Sequence, residues 1–184
     1  YPKIKSKESS NLIGINIAFD RYERRFGKNI YTVLDQIAVA MKQIEELGFQ
    51  IINVCHLEND SKFEISLDQR NVNYQTVNLQ FKLPNEVYDF YNKIELMLGM
   101  RGHAQMIPFG LNTKIISLGT HDKIRYFLED INALDWYIDV NETPESLSIE
   151  IIEKFNQLMF LEKHETETRL LEQQAALSDI TQEN

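Results

Sequence analysis

Arg101, Gly102 and His103 are the residues of this chain best suited to chemistry. They stand in the run Gly99-Met100-Arg101-Gly102-His103. A guanidinium can hold a carboxylate or a phosphate through its two-pronged fork. An imidazole can give up a proton near neutral pH, which makes His103 the candidate proton donor. The two glycines let the backbone turn and let a ligand come close. The same spacing also suits a plainer arrangement, with Arg101 paired to an acidic neighbour and His103 capping a helix. A second cluster is Gly119-Thr120-His121-Asp122-Lys123. Thr120, His121 and Lys123 could meet an anion there, although Thr120 and Asp122 equally suit a helix start. A third cluster holds Asp20, Arg21, Arg24 and Arg25, from which Arg21 is taken as a binding residue. It reads as readily as a solvated loop. Cys55 ends an apolar run and suits a structural role better than a nucleophilic one.

These clusters must be placed by something. The apolar runs at 12–19, 49–55, 74–79, 94–99, 113–118 and 136–140 are short and read as strands. Between them lie segments of helical period. Ile30, Val33, Leu34, Ile37, Met41, Ile44 and Leu47 fall on one face, with Asn29 placed to cap the start and Gly48 to end it. Pro84 and Pro144 open further helices, and Thr120 opens another. Residues 20–28 read as a loop, and 58–73 as a loop or short helix. Strands alternating with helices predict an α/β fold: a Rossmann-like three-layer sandwich on a mainly parallel sheet of about six strands. In such sheets ligands bind beyond the carboxyl ends of the strands. That rule selects the loops after the first, fourth and fifth strands, where the three clusters stand. A flexible lead-in is expected over 1–10, one domain over 11–160, and an acidic helical tail or solvated segment over 161–184.

Composition narrows the function. The chain has 184 residues and a net charge of −9, which argues against broad binding to nucleic acid. A local pocket on such a protein can still be positive. No apolar run reaches the roughly 18 residues of a membrane span. No secretory leader is visible, and the single Cys55 excludes a disulfide framework, so a cytoplasmic setting is expected. Four histidines and one cysteine give no zinc spacing, and neither a metal nor a cofactor is expected. There is no Gly-x-Gly-x-x-Gly, P-loop or Gly-x-Ser-x-Gly, which disfavours a dinucleotide enzyme, an NTPase and an α/β serine hydrolase. The chain opens at Tyr1 and is read as a piece of a longer protein.

The stretch from Met100 to Gly110, followed by 113–118 and Lys123, resembles the polysaccharide pyruvyl transferase family. That family carries an Arg-x-His-Ala motif after a strand, an apolar helix ending in Gly, a short strand, and a Lys at the next helix. Ile13-Gly14-Ile15-Asn16 and Glu46-Leu47-Gly48 match the earlier part of the same domain. Two positions differ: Gly102 stands where the family has Leu, and Thr113 where it has Pro, while Pro108 lies inside the helix. The resemblance implies the C-terminal half of a two-domain, glycosyltransferase-B-like enzyme. That enzyme moves pyruvate from phosphoenolpyruvate to a sugar of a cell-surface polysaccharide, forming a ketal. It implies that Arg101, Gly102 and His103 line the donor site and that the isolated half does not turn over. Two other readings stay open: a nucleotide-sugar-dependent glycosyltransferase half, and a non-catalytic interaction module that forms a homo-oligomer through its C-terminal helix.

Overall fold

The computed structural model describes residues 10–120, 122–161 and 163–182. His121 and the lead-in, apart from Ser10, lie outside the described residues. Six strands form one parallel sheet: β1 (Leu12–Asn16), β2 (Gln50–Cys55), β3 (Tyr74–Asn78), β4 (Leu96–Gly99), β5 (Lys114–Gly119) and β6 (Tyr137–Asp139). Their order is β3-β2-β1-β4-β5-β6. Eight α-helices accompany them among the described residues: α1 (Tyr22–Phe26), α2 (Ile30–Glu46), α3 (Glu64–Gln69), α4 (Pro84–Tyr91), α5 (His103–Gly110), α6 (Asp122–Asp130), α7 (Leu147–Asn156) and α8 (Lys163–Gln182). The α/β sandwich expected from the sequence is the observed architecture.

The winding follows from strand direction. Parallel neighbours need a crossover, and with right-handed crossovers the direction in which the chain steps along the sheet decides which face each helix covers. From β1 the chain steps outward to β2 and β3, then returns to lay β4 on the other side of β1. Helix α2, with α3 and α7 packed on it, therefore covers one face, and α4, α5 and α6 belong to the other. Strands β4 and β5 are buried at every position, as strands covered on both faces must be. The reversal of strand order leaves a crevice at the carboxyl ends of β1 and β4.

Some expectations about local structure are corrected. Residues 20–28 are not a plain loop: Phe26 is only 2% exposed, and its burial anchors α1 within the basic run. Asn29 does not cap α2 with its side chain, because a short 3-10 turn at Gly27–Asn29 leads directly into the helix. Gly48 does end α2, at a φ of 96° that favours glycine, with its N–H bonded to the Glu45 carbonyl at 2.8 Å. Strand β1 stops at Asn16, and Ile17, Ala18 and Phe19 continue buried beyond the sheet. Helix α8 lies against the body through Leu170 and through Arg169, whose guanidinium stands 5.0 Å over the Trp136 ring.

One clamp fixes the start of α5 on the sheet. Gln105 Nε2 donates to the Gly99 carbonyl at 2.8 Å, and the Ser117 hydroxyl donates to Gln105 Oε1. A Cβ at residue 99 would stand 2.6 Å from the Ala104 carbonyl oxygen and 2.7 Å from Gln105 Cγ. Gly99 thus serves the close approach of helix to strand, and not the ligand approach expected for it. Gly102 differs: its φ of −53° suits any residue, and a Cβ there meets nothing within 4 Å. Gly99→Ala should cost about 1–3 kcal/mol in urea denaturation, and Gly102→Ala should change stability by no more than about 0.5 kcal/mol. Equal costs would refute the clamp.

Candidate functional site

The crevice is organised around Asp60. Its carboxylate is fully buried, in a turn after β2. Oδ2 accepts the backbone N–H groups of His56 and Leu57, both at 3.1 Å, and Asn16 Nδ2 at 3.2 Å. Arg101 then clasps it in two-pronged fashion, Nε to Oδ2 at 2.8 Å and a terminal nitrogen to Oδ1 at 2.7 Å. Asn16, at the end of β1, ties the neighbouring strand ends together. Its amide donates to the Val54 carbonyl at 2.8 Å, and its Oδ1 accepts the Arg101 backbone N–H at 3.2 Å. Three strand ends, β1, β2 and β4, are joined through these few atoms.

A second carboxylate approaches Arg101 from the loop after β1. Asp20 Oδ1 lies 2.7 Å from the terminal nitrogen of Arg101, and its Oδ2 lies 3.0 Å from Arg25. Arg25 also donates from Nε to the Asp20 carbonyl at 2.8 Å and reaches the Thr120 hydroxyl at 3.3 Å. Asn141 closes this side by donating to the Arg25 carbonyl at 2.8 Å. Burial pushes the Asp20 carboxyl up, but Arg25 and Arg101 together outweigh it and hold the group below its ordinary range. For Arg101, burial works against the charge, and Asp60 and Asp20 overcome it, so the guanidinium is held above its ordinary value.

Two imidazoles flank this charge network. His56 follows β2, and its Nε2 shares a 2.6 Å hydrogen bond with the Tyr91 hydroxyl. His103 opens α5 and is exposed. The two ring centroids are 6.1 Å apart. Burial drives the His56 pKa down to about 4, with Asp60 opposing and the nearby His103 and Arg101 adding to the fall. His56 is therefore neutral at physiological pH. Burial also pushes the Tyr91 phenol up and the Cys55 thiol up to about 12, so Cys55 is not a nucleophile poised as thiolate.

The structure brings together Arg101, Gly102, His103 and Thr120 of the residues picked from sequence. It leaves Arg21 and Lys123 exposed, and neither shares a hydrogen bond or ion pair with the cluster among the described residues. Arg21 sits at the left-handed start of α1, which turns Arg25 inward in its place. Arg101 is paired with acidic neighbours, the plainer of its two sequence readings. Sequence reasoning missed Asp60, His56 and Tyr91. The strand-end rule that picks the loops after β1, β4 and β5 applies equally to the loop after β2, and would have found His56 and Asp60. A hollow of about 830 Å³ lies elsewhere, between the end of α6 and α8. Its guanidinium, Arg169, is committed to Asp135 at 2.6 Å, and it is remote from the imidazoles. Among the described residues, no three metal-ligating side chains converge, and no helix is long and apolar enough to cross a membrane. In comparisons with known proteins, no family model matches the chain and no curated protein matches it.

Two outcomes are expected. Asp60→Asn removes the fully buried one of the two carboxylates on Arg101 and should cost about 3–5 kcal/mol in chemical denaturation. His56 has a folded pKa of about 4, below its ordinary 6.5. Between those values the unfolded chain binds the proton and the folded chain does not. Its share of stability is therefore complete above 6.5 and is lost as pH falls through 4, on the order of 3 kcal/mol. An NMR titration of the ring should place its midpoint near 4, and a midpoint near 6.5 would contradict the burial.

Proposed function

We propose that this chain is the donor-binding half of a cytoplasmic pyruvyl transferase, which moves pyruvate from phosphoenolpyruvate to a sugar diol and forms a ketal. The observation that carries the reading is the placement of an anchored guanidinium and an exposed imidazole two residues apart at the switch point of the sheet. The Arg-x-His-Ala resemblance points to the same residues. Fold alone would not, because parallel α/β sheets host many chemistries.

The chemistry asks for a proton at the donor's methylene carbon. His103 gives it, and C2 becomes an oxocarbenium-like centre. One sugar hydroxyl attacks C2 and loses its proton. The second hydroxyl then replaces phosphate, and its proton leaves on the phosphate. Donor and diol thus become ketal and inorganic phosphate, with the first hydroxyl proton returning to His103. Arg101, held rigid by Asp60, positions the anionic donor without reorganising. The neutral His56 adds no second positive charge beside His103. Gly102 leaves open space between Arg101 and His103 for the donor's approach.

Phosphoenolpyruvate should raise the melting temperature, and uridine diphosphate should not. At about 100 times its Kd a ligand adds about 2.7 kcal/mol, a shift of several degrees. His103→Ala should keep that shift in this half, and in the full-length protein it should lower acceptor-dependent phosphate release by about 10²–10⁴-fold. A shift with uridine diphosphate alone would replace this reading with a nucleotide-sugar transferase.

A further inference from the structure

Two guanidinium groups meet at the Asp20 carboxylate, and the two carboxylates on Arg101 are not equivalent. Asp60 is buried completely and takes aligned N–H bonds from Arg101. Asp20 keeps 35% of its side-chain surface exposed. Its Oδ1 is 2.7 Å from Arg101, but the two aligned N–H bonds of that guanidinium go to Asp60. An ion pair without aligned N–H groups lacks the stronger part of a charge-assisted bond. Asp60 is thus the fixed partner of Arg101, and Asp20 the exchangeable one.

What surrounds Asp20 indicates what could replace it. Arg25 and Arg101 approach from two sides, and the Thr120 hydroxyl lies 3.3 Å from Arg25. Two guanidiniums and a hydroxyl gather around one partly exposed carboxylate. They match the three peripheral oxygens and double charge of a phosphate. We infer that the place now held by the Asp20 carboxylate is a phosphate subsite, and that Asp20 fills it as an internal stand-in until a phosphorylated ligand displaces it. This rests on the donor-binding reading above and assigns Arg25, not Arg21, to the donor's phosphate.

An internal competitor has a measurable signature. It weakens a ligand in proportion to the fraction of molecules whose site is open, so removing it tightens binding. It also places a negative charge where the ligand's own charge must go. Calorimetric titration with inorganic phosphate, phosphoenolpyruvate and pyruvate would test this on wild type, Asp20→Asn and Asp20→Ala, with Asp35→Asn as a control for net charge. Both Asp20 variants should bind phosphate and phosphoenolpyruvate about tenfold tighter, with pyruvate and the Asp35 control unchanged. Adding Arg25→Gln should abolish the gain. An NMR fingerprint confirms that each variant is folded, and the isosteric Asn serves if Ala is not. If wild type binds phosphoenolpyruvate and neither Asp20 variant binds phosphate more tightly, the stand-in role is overturned while the donor-binding reading survives. A gain for pyruvate alone, or an equal gain in Asp35→Asn, also overturns it. If wild type and variants alike bind no phosphoenolpyruvate, both readings fall together.

Discussion

A carboxylate without access to water sets the terms for the carboxyl edge of this sheet. Removing Asp60 from solvent costs several kcal/mol, and only charge and hydrogen bonds supplied by the protein can offset it. The offset comes from three separate places in the chain: the amide of Asn16, the backbone of the turn after β2, and the guanidinium of Arg101. None of these can move far without leaving the buried charge uncompensated. The loops at the crevice, which in most folds are the mobile parts, are here held to the rigid sheet by one anion.

The strand order explains why this anion stands where it does. Strand β1 is flanked by β2 and β4, so the chain leaves the sheet in different directions from adjacent strand ends. The space between those exits can be filled only by side chains reaching in from each loop. Asn16 is central to this, since it bonds to both neighbours and to Asp60. The apolar sheet below and the ionic network above are parts of one construction. The sheet fixes the strand ends to within the reach of a hydrogen bond, and the network closes the gap that parallel topology leaves.

Much of the fold was legible because its signals are local. Short β-branched runs, the long amphipathic face of α2, and proline or glycine at helix ends identify elements from neighbouring residues alone. Exact ends were less legible, as β1 shows, since tertiary contacts decide where pairing stops. Helix α1 was hidden because four basic residues mask its one buried anchor, Phe26. Asp60 was hidden for a deeper reason. In a polar stretch a carboxylate reads as solvated, and its burial depends on Asn16 and Arg101, 44 and 41 residues away. Arg101 and His103 were visible as chemistry because they stand two apart in sequence. The partners that decide what Arg101 can do are visible only in three dimensions.

Gly102 has a different kind of consequence. Its neighbours at the crevice are each tied to something: Arg101 to Asp60, Gly99 to the packing of α5, Thr120 to Arg25. Gly102 bears no such tie in its side chain, and its backbone asks nothing special of it. Descendants of this sequence can therefore enlarge or shrink the residue beside the guanidinium without disturbing a single ion pair. The charge network would pass unchanged through such a lineage, while the shape of what the crevice admits drifts at one position.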